Sequence, residues 1–320
     1  FSCILITSVA LFAVPAIPGY RNYVTTDGKT VSLQMVGDEY GHWLQDADGK
    51  TYQLTEQQTV RLTSLTPRER SNKRRQMLSK RRAMPADGID RPQKGYGTIN
   101  LAPRGLVILV NFTDVVFQAE NTKAEMYQMM NGASYTHGNT YGSVREYFRT
   151  QSGGAYVPTF DVVGPVTVKK QQSYYGQNDE DDNDMYAGDL IIEACKAADA
   201  AGTDFTRYDN DGDGYVDFVY VIYADKGEAD GGATYTVWPH NWNIRSAAYY
   251  GNCTYNFYSE CKVDGLYINN YACSGELNGR TDKRNSIGTI AHEFGHVLGL
   301  PDHYDTGNGL NKQEYRTPGT

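Results

Sequence analysis

"TIAHEFGHVLGLPDHYD", residues 289–305, holds three of the chain's six histidines and three acidic residues. Placed on a helix over 286–298, Ile287, Ile290, Ala291, Phe294 and Leu298 share one face, the stripe that packs against a core. His292 and His296 are four apart, so their imidazoles stack on a second face and can grip one ion. Glu293 lies at the flank of that face, placed to accept a proton from water at the ion. The spacing H-E-x-x-H therefore predicts a metal site with its own general base. A catalytic zinc needs three protein ligands and one open position. Gly299 is expected to end the helix and turn the chain sharply. Asp302 then swings back as the third ligand, with His303, Asp305 and Glu314 as the alternatives.

A second metal pattern lies upstream. "DNDGDGYVD", 209–217, sets Asp209, Asp211 and Asp213 at alternate positions, followed by Gly214 and Asp217. Carboxylates at that spacing converge when a loop wraps a hard cation, so a structural calcium site is expected. Position 12 of an EF-hand loop would carry a bidentate Glu; here it is Tyr220, and the flanks do not read as two helices. The acidic run "NDEDDND", 178–184, reads as solvated surface, and His240 in "WPHNW" as a hydrogen-bonded histidine in a packed loop.

Around these sites the sequence reads as a mixed α+β domain over 104–320. Within "RGLVILVNFTD" (104–114), residues 106–112 read as an apolar run suited to a strand buried on both faces, and "YVDFVYVIYA" (215–224) reads as another buried strand. "YVPTFDVVGPVTV" reads as further strand. "AEMYQMM" and "GSVREYFRTQS" read as short helices, and "DMYAGDLIIEACKAADAAG" as a long backing helix.

The front of the chain differs in kind. Residues 1–16 lie in an apolar, uncharged run that reads as the remnant of a secretory signal, with cleavage after Ala13 or Ala16. It is too short for a bilayer span, which needs roughly 20 residues. Residues 20–62 carry Asp-Gly turns between β-formers and predict a small β unit. Thr66 and Glu69 are spaced as a capping box, with Pro67 opening a basic helix over about 67–84. Residues 17–103 thus read as a propeptide and its linker. Residues 14–103 hold 14 basic and 9 acidic residues, net +5; the remaining 104–320 hold 16 and 29, net −13. Opposite charge predicts docking between the two units. A secretory leader and an acidic main domain argue against nucleic acid as a partner. There is no C-x-x-C pair, which argues against a cysteine-rich zinc site; Cys253 and Cys261 are close enough in sequence for a hairpin disulfide, which the sequence alone does not prove.

"AHEFGHVLGLPDHYD" resembles the signature of the immune inhibitor A-type metallopeptidases, a secreted bacterial family of the metzincin group. "RGLVILVNFTD", "VWPHNWNI" (237–244) and "ACSGELNG" (272–279) resemble other segments of that family's catalytic domain. The resemblance implies a metzincin fold with a mixed twisted sheet, backing helix and active-site helix. It implies a secreted zinc endopeptidase that cleaves protein or peptide substrates and is made as a zymogen, its own propeptide acting as inhibitor. Carried over by position, His292, His296 and Asp302 bind zinc and Glu293 is the base. One departure is plain: a methionine turn should follow the zinc helix, yet the last methionine is Met185. The chain is therefore expected to be a C-terminally truncated fragment, itself inactive. No cysteine lies between Cys3 and Cys195, so a propeptide thiolate does not cap the metal. An Asp, a Glu or His42 is expected to do so, or the segment fills the cleft. The competing expectation is an inactive, calcium-stabilised surface-binding module that keeps the fold.

Overall fold

A computed structural model describes residues 19–38, 40–55, 59–82, 100–137, 140–179, 183–279, 281–298 and 300. The apolar leader, most of the expected linker, Gly299, and the candidate ligands Asp302, His303, Asp305 and Glu314 lie outside the described residues.

The front residues form an antiparallel meander of five strands: β1 (Tyr20–Val24), β2 (Thr30–Asp38), β3 (Gly41–Gln45), β4 (Thr51–Leu54) and β5 (Val60–Leu62). It has a small core of its own in Leu33, Leu44 and Val60. Helix α1 (Pro67–Arg82) follows, and the capping box forms: Thr66 N donates to Glu69 Oε2 at 2.7 Å, and Glu69 N to Thr66 Oγ1 at 3.3 Å. Arg74 of α1 returns to β2, its Nε donating to Asp38 at 2.7 Å in a buried ion pair.

The main unit is built on one mixed sheet. Its strands are β6 (Arg104–Asn111), β7 (Thr159–Thr167), β8 (Val219–Lys226), β9 (His240–Asn243) and β10 (Asn270–Asn278). The spatial order is β9-β10-β8-β6-β7, with Lys283–Arg284 paired to the end of β10. The β10, β8, β6 and β7 ladders are parallel, and the edge strand β9 runs antiparallel to β10. The run 215–224 was expected as one strand. It is broken after Val216, because Asp217 turns aside to bond Asn210, and β8 starts at Val219.

Alternation along β6 divides the core in two. Leu106, Ile108 and Val110 face α4 (Ala187–Ala200), meeting Leu190, Ile191 and Ala194. Val107 and Leu109 face the other layer, made by α2 (Lys123–Asn131), α3 (Val144–Gln151) and α5 (Ile287–Val297). Leu106 to Val110 are all fully buried. Each such side chain contributes roughly 1.5–3 kcal/mol, so this strand anchors both layers. The expected backing helix thus lies on the face of the sheet opposite to the histidine-bearing helix.

The two units touch. The His42 ring stacks on Trp238, with centroids 3.9 Å apart and planes at 16°, and His42 Nε2 lies 3.4 Å from Glu228 Oε1. Met35 packs against Ala229 and Trp238. Tyr40, Arg70, Lys73 and Arg74 share a cavity wall with Asp179 and Asn183 of the acidic run. That run is not simply solvated: Asp184 is buried and accepts from Trp238 N at 2.9 Å. Its carboxylate holds the backbone of the residue on which His42 stacks.

Candidate metal centre

Helix α5 begins where Ser286 accepts from Gly288 N, and one turn later its apolar stripe enters the core. Ile290, Ala291 and Phe294 are buried, while Leu298, expected on the same stripe, is the C-cap and stays exposed. Phe294 fixes the helix's rotation. Its ring packs edge-on to Phe148, Phe160 and Phe218, at centroid distances of 5.1, 5.3 and 5.1 Å. Those three rings come from α3, β7 and the entry to β8, so the helix is located against three elements at once.

With that rotation set, His292 and His296 converge. Their Nε2 atoms are 3.0 Å apart and the rings are nearly perpendicular, at 84°. His296 Nδ1 lies 2.9 Å from the carbonyl oxygen of Leu300. A carbonyl only accepts, so Nδ1 carries the proton and the Nε2 lone pair faces His292. A histidine ligand needs this outer hydrogen bond to fix its tautomer. Glu293 is fully buried, with Oε1 4.0 Å from His292 Nε2. The ligand atoms of the three residues all lie within 4.8 Å of one another. Two nitrogens on a tetrahedral zinc at 2.0–2.1 Å stand about 3.3 Å apart, so the pair fits that ion with a small adjustment.

The surroundings brace this helix. Asn285 donates to Asp230 at 2.8 Å just before the N-cap. Burial pushes Asp230 up to about 6, partly opposed by the Asn285 amide. Arg284 donates to Asn121 at 3.0 Å, and Asn121 also donates to the buried Glu276 of β10. Gly279 is where the loop over 227–231 crosses β10: a Cβ there would stand 1.4 Å from the Asp230 carbonyl oxygen. Beneath the helix, burial and then the Glu293 carboxylate push the Tyr220 phenol well above its ordinary value. Sequence reading assigned no site role to Asp230, Asn285 or Tyr220. An aromatic in a buried strand and an Asp in a Gly-rich loop carry no pattern that separates them from core and turn.

The other named residues fall elsewhere. His240 Nδ1 lies 2.7 Å from the Trp238 carbonyl and Nε2 2.9 Å from the Tyr271 hydroxyl, so it is hydrogen-bonded as expected, but it sits on the edge strand β9 and not in a loop. His42 is engaged with Glu228 and Trp238, not with the histidine pair. Asp209, Asp211 and Asp213 are brought together within 4.8 Å; Asp217 is not part of that group and holds Asn210 at 2.7 and 2.9 Å. Among the described residues no helix is long and apolar enough to cross a membrane.

Comparison with known proteins gives a metallopeptidase family. The family model of the immune inhibitor A peptidase M6 catalytic domain matches residues 101–316. The pre-pro-metalloprotease PrtV of Vibrio cholerae serotype O1 is 27% identical over 235 residues, covering 63% of this chain and 25% of that protein. Immune inhibitor A of Bacillus thuringiensis subsp. alesti is 26% identical over 252 residues, covering 67% of this chain and 35% of that protein. The chain therefore spans about a quarter to a third of the length of these relatives.

Proposed function

The chain belongs to the immune inhibitor A peptidase M6 family, and from that premise we propose that it is a secreted zinc endopeptidase made as a proenzyme. The observation that carries the reading is the 3.0 Å approach of the His292 and His296 Nε2 atoms with the Glu293 carboxylate beside them. His292, His296 and Asp302 hold the zinc. A zinc ion so held supplies Lewis acidity, polarising the scissile carbonyl and making nearby water more acidic. Glu293 accepts the proton of the attacking water and delivers it to the leaving amine nitrogen. The Leu300 carbonyl keeps His296 in the tautomer that ligation requires. Tyr220 and Glu293 are both fully buried, and the Glu293 charge is felt at the Tyr220 phenol. The substrate is a protein or peptide in extended form.

Residues 17–103 are the propeptide and act as the intramolecular inhibitor. The interface of His42, Met35 and Arg21 with the loop over 227–238 supports this, as does the "pre-pro" in the name of the Vibrio relative. The same loop bonds to Asn285 at the head of α5, so the front unit is tied to the metal helix through Asp230. Asp209, Asp211 and Asp213 hold a structural calcium, with Asp217 bracing the loop through Asn210. The test is casein hydrolysis by the full-length protein after removal of residues 17–103, for wild type and Glu293→Gln. Hydrolysis by wild type alone is expected. Zinc binding with no hydrolysis by either would replace the peptidase reading with a surface-binding module.

A further inference from the structure

The loop over 227–238 is engaged on two sides. On one it carries the front unit. Met35 packs on Ala229 and Trp238, the His42 ring stacks on Trp238, and Arg21 Nη1 donates to the Gly231 carbonyl at 3.4 Å. On the other it carries the head of α5, where Asn285 Nδ2 donates to Asp230 at 2.8 Å. Ala229 and Asp230 are consecutive, so the apolar seat of the front unit adjoins the carboxylate that holds the helix. Asn285 passes the contact on. Its Oδ1 accepts from Ser286 N at 3.2 Å, and Ser286 is the N-cap whose Oγ accepts from Gly288 N at 3.3 Å. His292 stands about two turns further along the same helix. The loop between the two sides is closed on itself. Gly232 N donates to the Gly227 carbonyl at 2.9 Å, Gly231 N to that of Glu228 at 2.9 Å, and Asp230 N to that of Gly227 at 3.1 Å. A Cβ on Gly232 would stand 2.6 Å from Thr236 Oγ1, and Trp238 N donates to Asp184 at 2.9 Å. A turn cross-linked in this way shifts as one piece, so a displacement at Ala229 or Trp238 reaches Asp230.

We propose that the front unit has a second role besides inhibition: docked on the 227–238 loop, it braces the metal helix, so that the proenzyme holds zinc more tightly than the chain freed of it. The inhibitory role and the identity of the metal rest on the function proposed above. The brace rests on the contacts at Ala229, Trp238, Asp230 and Asn285. The relation is reciprocal: if docking strengthens zinc binding, zinc strengthens docking by the same factor. Zinc is thus acquired by the form whose helix head is best held, and loss of the front unit loosens that head.

The test uses the full-length proenzyme, carrying Glu293→Gln throughout so that no self-cleavage sheds the front unit. Zinc affinity is measured by competition with a chelating dye, and amide hydrogen exchange is followed over residues 287–292. The double substitution Arg21→Ala, His42→Ala removes two docking contacts and leaves the front unit's core of Leu33, Leu44 and Val60 intact. It should weaken zinc binding by about 5–10-fold and speed exchange at the head of α5. Placed on Asn285→Ala, which cuts the link to Asp230, the same two substitutions should change neither quantity further. Unchanged affinity and exchange in the double variant overturn the proposal, as does an equal loss in both backgrounds. A second measurement needs no change in the front unit. Zinc should slow exchange in β3 when Asn285 is present and not in Asn285→Ala; equal behaviour in both overturns the brace. Neither readout uses hydrolysis, so a protein that binds zinc and cleaves nothing ends the peptidase reading and leaves this one standing.

Discussion

His292 and His296 sit on a largely buried helix, whereas Asp209, Asp211 and Asp213 sit on a mostly exposed loop, and the two groups use their lone pairs differently. Asp209 accepts from Gly212 N at 2.8 Å, Asp213 N at 3.1 Å and Gly214 N at 3.1 Å. Asp213 accepts from Tyr215 N at 3.0 Å. The loop's own backbone donors thus engage its carboxylates, and Asn210 clips the loop to Arg104 of β6 through both N–H and C=O. Such a turn holds its shape without an ion. On the helix, the two Nε2 atoms face each other at 3.0 Å, an approach that a shared proton or a cation satisfies. Carboxylate spacing on a Gly-rich loop therefore says less about metal than imidazole spacing on a helix whose rotation is fixed by aromatic packing.

The comparison breaks most severely at Glu293. Glu293→Gln should lower hydrolysis by about 10²–10⁴-fold while zinc content, measured in the same samples, stays unchanged. Loss of zinc in that variant would make the carboxylate a ligand and remove the assigned base. Next in size is Phe294→Ala, which empties the space between three rings; urea unfolding should show about 3–5 kcal/mol of lost stability, with weaker zinc binding alongside. A change in stability without any change in zinc affinity would detach the helix's rotation from the metal site.

Asp230 gives a pH signature. Its carboxyl is raised from 3.8 to about 6 by burial. The stability it contributes is fully present below about pH 4 and is lost as pH rises through 6, amounting to about 2–3 kcal/mol by pH 7. Asp230→Asn should remove that loss, so the difference in unfolding free energy between variant and wild type should grow in the variant's favour from pH 4 to 7. A constant difference would contradict the burial argument. The smallest effect is expected at the loop. Asp209→Ala should cost about 1–2 kcal/mol even in chelator, and calcium should raise the wild-type melting temperature but not that of Asp211→Asn, Asp213→Asn. If calcium shifts neither, the loop is a turn and nothing more.

The histidine helix was legible because its signal is local. Ile290, Ala291 and Phe294 carry the helical period, His292 and His296 the ligand spacing, and both hold in the fold. The buried strand expected over 106–112 was legible for the same reason, and so was the part of 215–224 from Val219 on, where the apolar residues run without a break. What escaped depends on contacts far apart in the chain. Asp184 holds Trp238 from 54 positions away, and Asn121 reaches Arg284 across 163. The acidic run 178–184 looked like solvated surface because nothing within it shows that Trp238 and Asn252 will cover Asp184. His42 looked free to reach a metal because the stacking partner that occupies it lies in the other unit.

The most direct test is zinc content of the chain after dialysis, for wild type and for the His292→Ala, His296→Ala double variant, with circular dichroism to show that both are folded. One zinc per chain in wild type and none in the folded double variant is the predicted result. Zinc retained by the double variant, or absent from folded wild type supplied with it, would contradict the assignment of the histidine pair as the metal site.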